Sequence, residues 1–259
     1  MSEPNLATFR NRTVVAAYQA ECALQPAEAT ILDSIRDRIR GEPILDLGVG
    51  VGRTTPALTA LTDVYVGMDY SPEMVAACRV RFPDERFEVG DARDLSRFAT
   101  GSFGLVLFSF NGLDYVDHAD RLKVLGECRR VLKPGSPFVF STHNRNASLQ
   151  SPWALRRLRG DPLRDPMGCV KKLLTYPGGI VLHAARRRRE VQGADYAILN
   201  DQAHMYSLLT YYITPQAQVL QLEAAGFRAA KVVGRDGGWR SPDEFAGMTD
   251  SWIYYMAHA

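Results

Sequence analysis

The segment Ile44–Arg53, ILDLGVGVGR, joins a short apolar run to a cluster of three glycines. Ile44–Leu47 has the length and apolar character of a buried strand, and glycines directly after a strand let the backbone approach a ligand closely. A helix predicted over Thr54–Leu61 directs its N-terminus at the same place, where backbone N–H groups can receive a negative group. The stretch therefore predicts a strand, a glycine-rich binding turn and a helix.

Strand and helix patterns alternate downstream of this turn. The further predicted strands are Val64–Met68, Phe87–Val89, Phe103–Phe110, Pro137–Thr142, Ala229–Val233 and Ser251–Ala257. The predicted helices among them are Ser71–Phe82, His118–Leu132 and Pro215–Ala225. Such alternation is typical of parallel strands joined by crossover helices. We predict an α/β fold: a Rossmann-like, seven-stranded, mostly parallel sheet with flanking helices.

Two segments fall outside this alternation. Residues 1–41 have helical periodicity that breaks near Pro26 and ends at Gly41, which predicts an N-terminal helical cap. The alternation stops again at about Asn144 and resumes at Thr214, an N-cap residue followed by proline. We interpret 145–212 as an insertion after the fifth strand that forms a substrate-binding lid. Strands that the sheet needs lie on both sides of it, so 1–259 is predicted to be a single domain.

The composition is that of an ordinary soluble protein. The chain has 259 residues, of which 46% are hydrophobic and 23% charged, which excludes collagen, coiled coil and wholesale disorder. No apolar run approaches the roughly 18 residues that a membrane span needs, and the first residues lack the apolar core of a signal peptide. Four widely spaced cysteines favour reduced thiols over disulfides or a metal site. We therefore expect a cytoplasmic protein without a metal.

The net charge of +2 conceals an asymmetry. Between Trp153 and Glu190 there are ten Arg and Lys and three Asp and Glu, a net charge of +7, against −5 for the remainder. The segment ends in the run Arg186–Arg189, which is either a solvated face or a contact for phosphate or nucleic acid. Because the charge lies in the predicted lid, it favours an anionic acceptor.

An acidic residue ends the second predicted strand. Asp69 lies 19 residues after Gly50, where a carboxylate can accept hydrogen bonds from both hydroxyls of a ribose. That arrangement suits NAD as well as other adenosine ligands. The glycine spacing departs from the dinucleotide pattern G-x-G-x-x-G, however, because the third glycine would have to stand at Arg53.

Two further acids sharpen the ligand prediction. Asp91 ends the third strand, where it can accept from an adenine amino group while the N–H of Ala92 bonds the ring. Asp46, at the start of the glycine turn, can hold an ammonium group. Three acids at successive strand ends suit a ligand that carries cationic groups, an adenosine and no phosphate, a description that fits S-adenosylmethionine.

Five motifs give the chain a family resemblance. In order, they are Leu45–Gly52, Gly67–Met74, Glu88–Ala92, Phe103–Ser109 and Arg130–Pro137. With them, about residues 40–142 of the chain resemble a class I S-adenosylmethionine-dependent methyltransferase of the small-molecule type. The resemblance implies S-adenosylmethionine as the cofactor.

The resemblance also implies cofactor-binding residues. They are Tyr18, Asp46, Gly48, Gly50, Gly52, Asp69, Tyr70, Met74, Asp91, Ala92, Phe108 and Ser109. In this assignment the glycines cradle the methionyl part, Tyr70 or Met74 packs beside the adenine, and Tyr18 covers the cofactor. Phe108 and Ser109 border the sulfonium and its methyl group.

The acceptor side is less defined. Phe108–Tyr115 reads FSFNGLDY, which departs from the Asn/Asp-Pro-Pro-Tyr/Phe signature of enzymes that methylate adenine or glutamine amino groups. The remaining expectation is O- or N-methylation of a natural-product or sugar-like small molecule in secondary metabolism. Candidate general bases are His143 and His204. Candidate acceptor contacts are Asn111, Tyr115, Tyr206 and Tyr211, although packed structural aromatics and histidines would give the same pattern.

Three rival functions remain open on the sequence. An RNA methyltransferase would use the basic insertion, although the sequence favours a small molecule over a nucleic acid as the partner. An NAD(P)-dependent dehydrogenase would use the glycine turn and Asp69. A sensor would bind the cofactor without turnover.

Overall fold

The computed structural model describes residues 23–147, 181, 183–200, 206 and 208–259. Within them the strands are β1 Ile44–Leu47, β2 Tyr65–Asp69, β3 Arg86–Val89, β4 Leu105–Phe108, β5 Pro137–Asn144, β6 Val191–Gln192, β7 Tyr196–Leu199, β8 Thr210–Ile213, β9 Arg228–Val233, β10 Trp239–Arg240 and β11 Trp252–His258. The main α-helices are α1 Pro26–Ile39, α2 Thr55–Thr59, α3 Pro72–Arg81, α4 His118–Val131 and α5 Pro215–Ala224.

The strands form one sheet whose central order is β3-β2-β1-β4-β5-β11-β9. Strands β1 to β5 pair in parallel, and β11 runs antiparallel to both β5 and β9. These seven strands confirm the predicted Rossmann-like α/β fold. Strand β10, which extends one edge, and the short strands β6 to β8 were not predicted from the sequence.

Helices cover both faces of the sheet. One apolar core contains side chains of α1, α2 and α3, among them Ile31, Ile35 and Ile39, whose four-residue spacing places them on one side of α1. The other core contains side chains of α4 and α5. Two of the predicted helix starts are capped as the sequence indicates, because the hydroxyls of Ser71 and Thr214 accept the N–H groups of Met74 and Ala217.

The described part of the insertion continues the sheet past the end of β4. Phe108, the last residue of β4, pairs with Phe140, but β5 runs on to Asn144. Beyond the end of β4, β8 lies beside β5 in its place and pairs in parallel with His143 and Asn144. Strand β7 pairs with β8, and β6 with β7. The described strands of the insertion thereby lie beside the carboxyl ends of the central strands, where the candidate binding turn is located.

Some predictions fall on residues outside the description. The helical periodicity predicted before Pro26, with Tyr18, falls almost entirely on residues 1–22, and most of the basic segment falls on residues 148–180. Among the described helices, none is long and apolar enough to cross a bilayer.

Candidate functional site

A cleft opens at the carboxyl ends of the central strands. Its empty space, including the solvent at its open mouth, is about 1080 Å³. Ten of the twelve predicted cofactor residues line it: Asp46, Gly48, Gly50, Asp69, Tyr70, Met74, Asp91, Ala92, Phe108 and Ser109. Tyr18 lies outside the described residues. Gly52 is not in the lining, because it packs against Phe82, whose ring a Cβ at Gly52 would meet at 2.5 Å.

The glycine turn needs glycine for two reasons. Gly48, Gly50 and Gly52 all have positive φ angles, of 62°, 56° and 80°, which L-residues with a Cβ rarely adopt. A Cβ at Gly48 would also lie 2.7 Å from Cε2 of Phe108. The turn is tied to the second strand, since the N–H of Gly50 donates to Oδ2 of Asp69 over 3.0 Å.

Substitution of Gly48 tests this packing. We expect Gly48→Ala to lower the free energy of unfolding by about 1–3 kcal/mol, because the new Cβ combines backbone strain with a clash against Phe108. Urea unfolding followed by circular dichroism measures the change. The matched control is Gly126→Ala in α4, where a Cβ meets nothing within 4 Å and alanine favours the helix. Equal stability of the two variants would contradict the packing.

Asp69 is buried at the end of β2 and accepts hydrogen bonds from neighbouring backbone N–H groups. Besides the N–H of Gly50, the N–H of Ser71 donates to its Oδ1 over 2.9 Å. Burial raises the pKa of Asp69 to about 6, against the opposing effect of the backbone hydrogen bonds. The carboxylate retains lone pairs that a ribose can use.

Asp46 is almost fully buried beneath the glycine turn. Its Oδ2 accepts hydrogen bonds from Oγ1 of Thr54 over 2.6 Å and from the hydroxyl of Tyr65 over 3.0 Å. Burial raises the pKa of Asp46 to about 7, although both hydrogen bonds act in the opposite direction. Because this pKa lies near neutral pH, a cation bound beside the Asp46 carboxyl group favours its ionised form.

Asp91 is more exposed than the other two acids and has a cationic partner. Both of its oxygens accept from Arg93, whose Nη1 also donates to Asp120 over 2.6 Å. Burial alone would raise the pKa of Asp91, but the hydrogen bonds and charge of Arg93 outweigh it, and the pKa is lowered. Asp91 therefore presents an ionised carboxylate at the rim of the cleft.

The chain leaves β4 in an unusual conformation. Phe110 and Asn111 have φ angles of 55° and 63°, and such angles in residues other than glycine are concentrated at functional sites. The N–H of Asn111 donates to Oγ of Ser141 over 2.8 Å. Its buried Oδ1 has no hydrogen-bond partner among the described residues. Asn111 itself is not part of the cleft lining, whereas Phe110 is.

Glu28 is a buried acid of α1 beside the cleft that was not predicted from the sequence. Two guanidinium nitrogens of Arg53 donate to its two oxygens, each over 2.6 Å. The hydroxyls of Ser109 and Tyr254 also donate to Oε1. Arg53 therefore joins the N-terminal helix to the glycine turn. The available signal was the capping box, in which Glu28 stands three residues after Gln25.

His143 does not line the cleft but is tightly held at the end of β5. Its backbone N–H and its Nδ1 each lie 2.7 Å from Oδ2 of Asp114. Asp114 is fully buried, and its Oδ1 accepts from Nη1 of Arg121 over 2.7 Å. His204, the other candidate base, lies outside the described residues.

The predicted acceptor residues divide into two groups. Tyr115 lines the cleft and packs with Val51, Met74 and Leu208, the last from the insertion. Tyr206 and Tyr211 are buried away from it. Tyr206 packs on His183, and Tyr211 is fully enclosed by a stack that includes Tyr196 and the guanidinium of Arg121.

The described end of the basic segment is solvent-facing. Arg187–Arg189 form one 3₁₀ turn, and all three side chains are exposed. This position fits both open interpretations of the run, a solvated face and a surface for anions.

Comparison with known proteins assigns the part of the chain that holds the cleft. Residues 44–135 match the family described as "Methyltransferase domain". A demethylmenaquinone methyltransferase from Beutenbergia cavernae is 40% identical over 117 residues, covering 44% of each chain. A ubiquinone biosynthesis O-methyltransferase from Xanthomonas oryzae is 28% identical over 128 residues, covering 48% of this chain and 52% of that one. The chain thus matches only about half the length of these curated relatives.

The fold of the whole chain is similar to that of a solved methyltransferase structure. The 1,6-didemethyltoxoflavin-N1-methyltransferase of Burkholderia thailandensis, solved with S-adenosylhomocysteine and 1,6-didemethyltoxoflavin bound, covers all of this chain and 91% of its own. The TM-score is 0.58 and the identity 15%. Residues 44–135 therefore match a methyltransferase domain, and the fold of the chain is similar to that of a solved methyltransferase.

Proposed function

We propose that the chain transfers the methyl group of S-adenosylmethionine to an oxygen or nitrogen of a small molecule. The observation that carries this proposal is the cleft, which brings the glycine turn, Asp46 and Asp69 together with Phe108 and Ser109 at the end of β4. Buried carboxyl groups facing a cleft suit a ligand with an ammonium group and a ribose, and a glycine turn with positive φ angles admits its backbone-hugging part.

Each cofactor role follows from position. Asp46 would hold the ammonium group, Asp69 the ribose hydroxyls, and Asp91 with the N–H of Ala92 the adenine edge. When bound, the cofactor supplies a methyl group on a good leaving group. The chain's own contribution is to orient the acceptor behind that methyl and to exclude water.

The acceptor would enter beside Ser109. Phe110 and Tyr115 of the lining provide aromatic walls there. Asn111 stands between Phe110 and Gly112 of the lining, and its side-chain oxygen has no hydrogen-bond partner among the described residues. His143, which lies outside the lining, is our candidate for the general base. The relatives are named for demethylmenaquinone, for ubiquinone biosynthesis and for 1,6-didemethyltoxoflavin, and each of these names refers to a compound with a ring system. We infer a small ring acceptor as well, and the charge of the basic segment favours an anionic one.

We also propose that the insertion 145–212 acts as the lid of a single domain, with residues 1–41 as a helical cap. The support is that Leu208 packs on Val51, Met74 and Tyr115 over the cleft. On the other side, Glu28 of α1 contacts Arg53 and Ser109 in the cleft lining.

The two buried acids predict a pH dependence of cofactor binding. With pKa values of about 7 for Asp46 and about 6 for Asp69, both are partly or fully protonated at pH 5.5 and mostly ionised at pH 8. A ligand that prefers the carboxylates releases protons on binding, so the affinity for S-adenosylhomocysteine is expected to rise from pH 5.5 to pH 8. Titration calorimetry at both pH values, each in two buffers of different ionisation enthalpy, measures this.

The control is the variant Asp46→Asn. Its binding of S-adenosylhomocysteine at pH 7 should release fewer protons than binding by the wild type. An affinity that stays constant or falls with rising pH would contradict the assigned contacts of the two acids.

Incubation with methyl-labelled S-adenosylmethionine tests the proposed reaction. The protein is offered small-molecule and RNA fractions of its source, and each fraction is assayed for label. Transfer to a small molecule is the expected result. Label in RNA would favour the rival that uses Arg186–Arg189, and binding without transfer to any fraction would favour a sensor.

A further inference from the structure

The contact between Asp114 and His143 joins the turn after β4 to the end of β5. Asp114 lies in the 3₁₀ turn Gly112–Tyr115 after β4, and His143 lies at the end of β5. Both polar groups of His143 nearest the sheet, its backbone N–H and Nδ1, point at the same carboxylate oxygen, each at 2.7 Å. The imidazole is thereby fixed by one acid.

The other oxygen of Asp114 also accepts hydrogen bonds, and these contacts determine which nitrogen of His143 carries the proton. Oδ1 accepts from Nη1 of Arg121 over 2.7 Å and from Oγ1 of Thr142 over 2.5 Å. A carboxylate paired with a guanidinium only accepts hydrogen bonds. Nδ1 must therefore carry a proton, and in the neutral imidazole Nε2 is then left with a free lone pair.

The surroundings of His143 contain buried polar atoms that lack partners. Trp252 pairs with His143 across β11 and β5, and its ring contacts Phe110 of the cleft lining at a centroid distance of 5.9 Å. Tyr212 pairs with His143 across β8, and Thr210 shares the face of Tyr212. Nε1 of Trp252 and Oγ1 of Thr210 are buried without a hydrogen-bond partner among the described residues. A polar ligand beside His143 would satisfy such groups.

We propose that Asp114 is a positioning residue that holds His143 in the Nδ1–H tautomer, so that Nε2 takes the proton of a hydroxyl acceptor. The inference rests on the proposed function and narrows it to O-methylation. An unprotonated amine would not need this base, whereas a hydroxyl gains reactivity when its proton is removed as it attacks.

The proposed step balances. The hydroxyl proton passes to Nε2 of His143 while a lone pair of the oxygen forms the bond to the methyl carbon of S-adenosylmethionine. The electron pair of the broken carbon–sulfur bond stays on sulfur, which leaves S-adenosylhomocysteine and a methyl ether. The imidazolium formed is stabilised by Asp114 and later returns its proton to water.

Nitrogen-15 NMR of the ligand-free protein tests the positioning role without an acceptor. His143→Gln identifies the signals of His143 in long-range ¹H–¹⁵N spectra. In the wild type at pH 8 we expect Nδ1 to be protonated and Nε2 not. Asp114→Asn should shift the balance toward the Nε2–H form, whereas Asp117→Asn, at the exposed N-cap of α4, should leave it unchanged.

A wild-type His143 mainly in the Nε2–H form would overturn the proposal, and so would a tautomer that Asp114→Asn leaves unchanged. If Asp114→Asn does not fold, the wild-type spectrum still decides.

The position of the transferred label gives a second readout. With ¹³C-methyl S-adenosylmethionine and the fraction that takes the label, we expect a methyl ether, and a roughly 100-fold or larger fall in kcat for His143→Gln. The affinity of that variant for S-adenosylhomocysteine should stay within about threefold of wild type. Label on nitrogen or carbon would overturn this inference alone, whereas failure to bind S-adenosylhomocysteine would overturn the proposed function.

Discussion

Replacement of Arg121 by methionine is expected to lower the free energy of unfolding by about 3–5 kcal/mol. The guanidinium is fully buried, pairs with Asp114 over 2.7 Å and donates to Oε1 of Gln218 over 2.6 Å and of Gln221 over 3.0 Å. Removal of the cation leaves the Asp114 carboxylate buried without its charge partner and the amide oxygen of Gln218 without its guanidinium donor. Urea unfolding followed by circular dichroism measures the loss.

Lys123→Met in the same helix is the matched control. The Lys123 side chain is 66% exposed and pairs with Asp120, so its loss should cost well under 1 kcal/mol. The double variant Asp114→Asn/Arg121→Met should recover much of the stability, because the unpaired charge is gone. A loss below about 1 kcal/mol for Arg121→Met would contradict the buried network.

Asp69→Ala should weaken the binding of S-adenosylhomocysteine by about 1–3 kcal/mol, roughly a fivefold to 150-fold increase in Kd. The variant loses the proposed ribose contact, and it also releases the N–H of Gly50 that fixes the glycine turn. Titration calorimetry measures the Kd, and circular dichroism checks that the variant is folded.

Asp63→Ala controls for the loss of an acid near β2. Asp63 is exposed and lies before the opposite end of the strand. Its removal should leave the Kd unchanged within about twofold. If Asp69→Ala and Asp63→Ala bound equally well, Asp69 would not be a cofactor residue.

The cofactor half of the site could be predicted from the sequence because its residues are local. Each acid stands directly at a strand end or in the turn after one, and the carboxyl ends of parallel strands meet at one edge of a sheet. Asp46, Asp69 and Asp91 therefore converge on the cleft as soon as the order of strands is known. The start of α3 was also predictable, since Ser71 and Pro72 act within one turn of the helix.

The acceptor half could not be predicted in the same way because its contacts join distant residues. Asp114 meets His143 across 29 positions, and Glu28 meets Arg53 across 25. Tyr211 was a reasonable acceptor candidate among neighbouring aromatics. In the structure, the pairing of β8 with β5 and β7 directs the Tyr211 side chain into the packed stack with Tyr196 and Arg121. This direction follows from the strand register, which cannot be inferred from one sequence.

Titration calorimetry of the wild-type protein with S-adenosylhomocysteine and, separately, NAD tests the central claim most directly. Both ligands carry an adenosine. S-adenosylhomocysteine also has an ammonium group that Asp46 can hold, whereas NAD has none and would bring negatively charged phosphates to the acidic strand ends. We predict one molecule of S-adenosylhomocysteine bound per chain and no detectable heat from NAD. Binding of NAD together with no binding of S-adenosylhomocysteine would contradict the account.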